Sequence, residues 1–409
     1  MRRLKRWRPL LILALIGPGI ITAAADNDAG GIITYTQAGA KYRYDLLWVL
    51  VIITFVLAMI QEMSARMGVV TQKGLGELIR ENFGVKWTMF ALGTLLLANL
   101  ATTVAEFAGL AASLEIFGVN RFITVPLAAI IIWLLVVKGS FKAVERVFLG
   151  LSLVYATYVV SGLMSHANWT QVLHDTYSPT FHSDPRFMFL AIAVIGTTIT
   201  PWMQFFLQAT VVDKGVKVEN YTYQKWDVYI GSMLTDVVSF FMIVAAGTII
   251  FPRAINNPAE AATALQPVAH GYAKALFAIG LFNASLLAAA ILPLSTAYTY
   301  SEAFGWEIGI SRKFSEAPIF YAIYTFCIGF GVVVVLFAQR LIEVMINAQA
   351  VNGILLPVIL VFMLKLINRK EIMGKFTNSR IYNYAVWAMA IVLIAMTLAW
   401  LIGLALGLG

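Results

Sequence analysis

The chain has 409 residues, 60% of them hydrophobic and only 12% charged, with a mean hydropathy of +0.82. That composition excludes a soluble globular domain and makes a lipid bilayer the expected solvent. The net charge of +8 is not a nucleic-acid signal, because the basic residues collect in alternate connections between apolar windows.

About 20 apolar residues span a bilayer as a helix. Eleven such windows follow in chain order: Leu10–Ala40 (interrupted), Leu46–Met67, Trp87–Phe117, Phe122–Val137, Val147–Met164, Phe187–Val212, Tyr229–Phe251, Tyr272–Tyr300, Ile319–Ala338, Val344–Ile367 and Tyr384–Leu408. The first lacks a clear small-residue cleavage site after it and reads as a retained helix. The longest connections, Ser165–Arg186 and Pro252–Gly271, read as polar loops, so the chain is one transmembrane domain over residues 1–409. With the N-terminus inside, 22 of the 29 Lys and Arg fall on inner segments. The expectation is a cytoplasmic N-terminus and, with an odd number of helices, an external C-terminus.

The first window carries the most informative residue. Asp28 sits in Ala25-Asp26-Asn27-Asp28-Ala29-Gly30-Gly31, with apolar sequence on both sides. A carboxylate at that depth costs several kcal/mol unless something compensates it, which makes it a functional candidate. The paired glycines weaken the helix at the same point. The sixth window holds a matching interruption, Gly196-Thr197-Thr198-Ile199-Thr200-Pro201-Trp202. Proline kinks are common in membrane helices. Two breaks at corresponding positions, the first and sixth helices, instead suggest two five-helix halves of inverted topology, with a ligand held between the breaks. The halves are expected at residues 9–165 and 186–367, with an extra C-terminal helix at 381–408.

Cys327 is the single cysteine, so neither an internal disulfide nor a thiolate cluster is available. The four histidines (His166, His174, His182, His270) all fall in outer connections or at a helix edge, away from any route across the membrane. With no nucleophile–base pair or multi-ligand metal cluster inside the membrane, an enzyme is not expected.

Several stretches resemble the Nramp divalent-metal transporters: Gly17-Pro18-Gly19, Asp28-Ala29-Gly30-Gly31, Leu46-Leu47-Trp48, Ser64-Ala65-Arg66-Met67-Gly68-Val69-Val70-Thr71, Glu145-Arg146-Val147 and Ile372-Met373-Gly374. The similarity runs along nearly the whole chain. It implies an all-α integral membrane protein with about eleven helices in the LeuT-type 5+5 inverted repeat, helices 1 and 6 broken. Two departures stand out. The family's Asp-Pro-Gly-Asn keeps Asp28 and Gly30 here but ends in Gly31, and its Met-Pro-His reads Thr200-Pro201-Trp202.

A thioether favours softer transition metals, whereas Mg²⁺ is served by oxygen ligands and keeps several waters. Loss of the amide and the sulfur enlarges the site and hardens its donors, so the chain looks like the Nramp-related magnesium transporters of prokaryotes. Plant aluminium-transporting relatives share the threonine-like change, so that substitution alone does not decide the substrate. By resemblance the metal-binding residues are the Asp28 carboxylate, the Ala25 and Thr197 carbonyls, the Thr200 hydroxyl and Gln349, with Gly31 making space. Asp26 and Asn27 are expected at most to hold outer waters. Trp202 reads as a packing wedge. Glu106 matches a family acid, and reads either as a coupling group or as a buried acid paired with a hydroxyl such as Thr103. Leu96 and Thr103 stand where the family has further acids.

A proton route stripped of most titratable groups implies transport largely uncoupled from protons. The expected substrate is Mg²⁺, with Mn²⁺ also admitted, carried without any resident cofactor by a monomer in the bacterial inner membrane. The partners are divalent ions and the lipid bilayer, with no nucleic acid. Competing readings are a proton-coupled Mn²⁺/Fe²⁺ symporter and an amino-acid or other organic-solute carrier of the same fold. Retention of Asp28 argues against the carrier, because those sites hold a substrate carboxylate on helix N-termini.

Overall fold

The computed structural model describes residues 27–138, 152–182, 184–307 and 314–406. Every regular element among them is helical. Eight helical segments are long and apolar enough to cross a membrane, and Arg121–Val137 is a shorter apolar helix. Ala25, Asp26, the earlier part of the first window and Glu145-Arg146-Val147 lie outside the described residues.

In chain order the principal helices are α1 (Ala29–Tyr42), α2 (Leu47–Thr71), α3 (Leu75–Glu115), α4 (Arg121–Val137), α5 (Ala156–Met164), α6 (Trp169–Tyr177), α7 (Pro185–Thr198), α8 (Pro201–Asp213), α9 (Tyr221–Ile249), α10 (Ala273–Phe304), α11 (Pro318–Phe337), α12 (Leu341–Ile367) and α13 (Arg380–Ala405). Several run past their apolar windows. α3 begins twelve residues before Trp87 because Gly84, at φ 75°, turns the chain between a leading helical segment and the span proper. Only glycine adopts that conformation cheaply. The two long connections are not plain loops: the first carries α6, and the second holds short helical turns between Pro258 and Tyr272.

The outer surface is apolar, and the interior, though mostly apolar as well, holds a set of buried polar groups. Phe55, Ile123 and Ile391 are each more than 60% exposed, whereas Glu106, Gln349 and Asn352 are wholly buried. Hydrocarbon solvates the former, and the latter must satisfy one another inside the bundle. α3 packs against α10 and α12, α9 lies along α1 and α2, and α7 lies against α12. Small residues set these approaches. A Cβ at Gly196 of α7 would meet the Gln349 carbonyl and the Gly353 backbone of α12, and one at Gly353 would meet Ile192. The interhelical contact at Gln349 is therefore backbone against backbone.

Candidate metal site

The site grows from two helix ends. α1 starts at Ala29 with Asp28 as its N-cap, in extended backbone (φ −74°, ψ 177°), and Gly31 N–H donates to Asp28 Oδ1 at 2.6 Å. The neighbouring Ala29 N–H donates to Glu106 Oε2 of α3 at 3.3 Å. The first-turn donors that no helix can satisfy internally are thus spent on two carboxyl groups, and the positive end of the helix dipole favours both. The Glu106 carboxyl also lies within hydrogen-bonding reach of the Asp28 carboxyl. Such a pair is bridged either by a proton or by a cation.

Gln349 closes the cluster from α12. Its Nε2 reaches Asp28 Oδ1 and Oδ2 at 3.5 and 3.4 Å, while its Oε1 accepts from Asn352 Nδ2 at 2.9 Å. Asn352 in turn bonds Thr102 Oγ1 of α3 at 2.9 Å. This relay fixes the amide so that its N–H₂ end faces the carboxylate. Gly31 contributes a backbone N–H to Asp28, and at the neighbouring Gly30 a Cβ would overlap the Gln349 amide.

The second helix end is the α7–α8 break. α7 stops at Thr198, Ile199 and Thr200 leave the helical conformation, and α8 begins at Pro201. Proline has no N–H, so the Thr197 carbonyl, four residues earlier, loses its helical donor. The Thr197 and Thr200 hydroxyls are both buried and have no hydrogen-bond partner among the described residues. Leaving a buried hydroxyl unsatisfied costs about 1–3 kcal/mol, a cost repaid when these oxygens face a ligand or its waters. Tyr35 of α1 bonds Thr198 Oγ1 at 2.7 Å, tying the two breaks together. Gly196, next to Thr197, abuts the backbone of Gln349.

The remaining expected residues separate from this cluster. Thr103 Oγ1 donates to Asn99 O of its own helix at 2.7 Å, so the Glu106–Thr103 pairing is not formed; the acid turns to α1, where backbone donors are stronger partners than a hydroxyl already used. Asn27 Oδ1 accepts from Ser239 Oγ of α9 at 3.5 Å. Trp202 is buried against Phe206, with ring centroids 5.7 Å apart. Asn352 and Thr102 were not singled out from the sequence. The signal was there in Gln349 and Asn352, two amides one helical turn apart in an apolar helix.

Among the described residues no three His, Cys, Asp or Glu side chains group as a metal cage. A cation here would meet one or two carboxylates and neutral oxygens.

Residues 19–403 match the profile of the Nramp family, natural resistance-associated macrophage protein-like. The chain belongs to the Nramp family. Solved structures agree on the fold. An Eremococcus coleocola manganese transporter in complex with an aromatic bis-isothiourea compound matches with TM-score 0.76 at 21% identity, covering 96% of this chain and 86% of its own. A single-residue mutant of that transporter gives 0.77 at 20% identity, covering 96% and 88%. A nucleobase-cation-symport-1 family transporter, closed around bromovinylhydantoin, gives 0.58 at 16% identity, covering 96% and 90%. This Nramp-family chain is thus a multi-pass membrane transporter of the LeuT fold, in a family of divalent-metal transporters, and not an enzyme.

Proposed function

We propose that this Nramp-family protein takes up Mg²⁺, and Mn²⁺ beside it, as a largely hydrated ion by alternating access between the halves 9–165 and 186–367. The reading rests on one observation above the rest: two buried, unpartnered threonine hydroxyls at the α7–α8 break, Thr197 and Thr200, where the family's thioether is absent. Together with the Asp28 carboxylate and the Gln349 amide oxygen they form a set of oxygen donors alone, which suits a hard ion. The Ala25 carbonyl and the Thr197 carbonyl complete the proposed set, with Gly31 making space. For its oxygen to reach the ion Gln349 must turn its amide, since that oxygen accepts from Asn352.

Uptake needs no proton gradient on this reading. An inward-negative potential of 100 mV supplies about 4.6 kcal/mol to a divalent ion, twice the ~2.3 kcal/mol per unit charge. The N-terminus is placed in the cytoplasm by the basic inner segments.

A second reading has its own observation. The Asp28–Glu106 contact provides one titratable pair in the site, as a proton-coupled Mn²⁺/Fe²⁺ symporter would require, and the structural relatives include manganese transporters. Flux of Mg²⁺, Mn²⁺ and Cd²⁺ into proteoliposomes, with internal pH followed at the same time, separates the two. Mg²⁺ uptake without acidification supports the proposal; exclusion of Mg²⁺ refutes the substrate, and acidification that tracks the ion refutes uncoupled transport.

A further inference from the structure

α3, α12 and α13 enclose a groove that the metal site does not use. Its volume is about 480 Å³, the size of a site for one small ligand. The walls are apolar: Phe83, Trp87 and Phe90 come from α3, Pro357 and Phe362 from α12, and Ile394 from α13. The Trp87 ring stands edge-on to Phe362, with centroids 6.4 Å apart, and is half exposed. Lys365, in the last turn of α12, is the single charged residue of the lining.

Two further cations stand close to that mouth. Arg369 lies over the Phe83 ring, 5.0 Å from its centroid, and donates from Nη1 to Asn82 Oδ1 at 3.0 Å. Most of its guanidinium N–H donors stay open to a ligand. Lys86 directly precedes Trp87. Among the described residues none of the three pairs with a carboxylate, and the nearby Glu81 is taken by Lys73. No carboxylate lines the groove. Apolar walls ending in unpaired positive charge complement an amphiphile with an anionic head, and basic pockets between membrane helices bind such headgroups.

We propose that this groove holds one anionic phospholipid, its phosphate at Lys365 and Arg369 and an acyl chain along Pro357 and Ile394. The orientation proposed above puts this end at the cytoplasmic leaflet, where anionic lipids lie against basic segments. Pro357 ties the lipid to transport. It deprives the Gly353 carbonyl of its helical N–H, so α12 bends readily there. Gln349 and Asn352 lie on the far side of that point, and a chain packed on Pro357 braces the half of α12 that reaches Asp28. Binding stands on the groove alone; the effect on flux rests on the divalent-cation reading above.

The test titrates the purified protein with phosphatidylglycerol and with phosphatidylcholine, counting bound lipids by native mass spectrometry. Mg²⁺ and Mn²⁺ flux is measured beside it, in phosphatidylcholine vesicles with and without phosphatidylglycerol. The parent should hold one phosphatidylglycerol about tenfold more tightly than phosphatidylcholine, and flux should rise at least about threefold with it. Lys365→Gln should lose both effects and Lys365→Arg should keep them. Lys138→Gln removes an equal charge away from the groove and should behave as the parent, which separates a seated lipid from general surface charge. Equal retention of the two lipids by the parent overturns the proposal, as does parental selectivity in Lys365→Gln or an equal loss in Lys138→Gln. Selective binding with flux indifferent to the lipid overturns the brace on α12. A parent that carries neither ion refutes the transport reading alone, and the lipid counts still decide the site.

Discussion

Gly30 and Gln349 occupy adjoining space so closely that a methyl group on the glycine would coincide with the amide of the glutamine. The pair decides whether α12 can present an amide to Asp28. Gly30→Ala should leave the helix intact, since alanine is the better helix former, yet push Gln349 off the carboxylate. The expected outcome is normal expression and unfolding temperature with Mg²⁺ flux down at least about tenfold. Unchanged flux would mean that Gln349 is not needed at the ion.

Metal preference should follow the atom at position 200. Thr200→Met restores a soft donor, so Cd²⁺ should bind more tightly and Mg²⁺ more weakly, each by about tenfold. Asp28→Ala removes the only full charge on α1's cap and should abolish transport of both. Calorimetric titration of the purified variants with each ion, beside flux, checks the two statements.

The Asp28–Glu106 contact predicts a binding-linked proton that is not a transported one. In weakly buffered detergent solution, Mg²⁺ addition should release about one proton per ion as the cation replaces the bridging hydrogen. Glu106→Gln should diminish that release while flux driven by membrane potential persists. Loss of flux in the variant, together with acidification in the parent, would favour the symporter instead.

Arg66 fastens one end of the bundle. Its guanidinium pairs with Glu62 at 3.2 Å, donates to Phe376 O at 3.1 Å and Thr377 O at 3.3 Å, bonds Asn378 Oδ1, and lies over the Tyr382 ring. Tyr221 of α9 bonds the same glutamate. Residues 376–378, the connection from α12 to α13, are therefore strapped to α2. Arg66→Gln leaves a buried carboxylate and two carbonyls short of partners and should cost about 3 kcal/mol. A lowered unfolding temperature and faster proteolysis within 374–380 are the expected readouts.

Much of this arrangement was legible in the chain itself. Asp28 announced itself because a charge inside an apolar run is expensive in lipid, and Pro201 because it lacks the N–H that a helix needs. Glu62 and Arg66, four residues apart on α2, pair as that spacing allows on one helix face. Glu106 was seen, as either a coupling group or a buried acid beside a hydroxyl such as Thr103, but its donor on the α1 backbone, 77 residues away, was not visible. Asn27 was expected at most to hold outer waters, and its side chain bonds Ser239 of α9.

Composition and periodicity therefore determined that the chain lives in a membrane, where its helices break, and which carboxylate lies at the break. They could do so because the cost of a charge or a missing N–H in hydrocarbon is local and depends only on neighbours along the chain. Which groups meet at that break was settled by packing. Gly30 against Gln349, Asn352 holding the amide's orientation, Glu106 beside Asp28 and Ser239 of α9 against Asn27 all join residues far apart in sequence. Their geometry depends on how closely small residues let the helices approach, and no spacing along the chain encodes that distance.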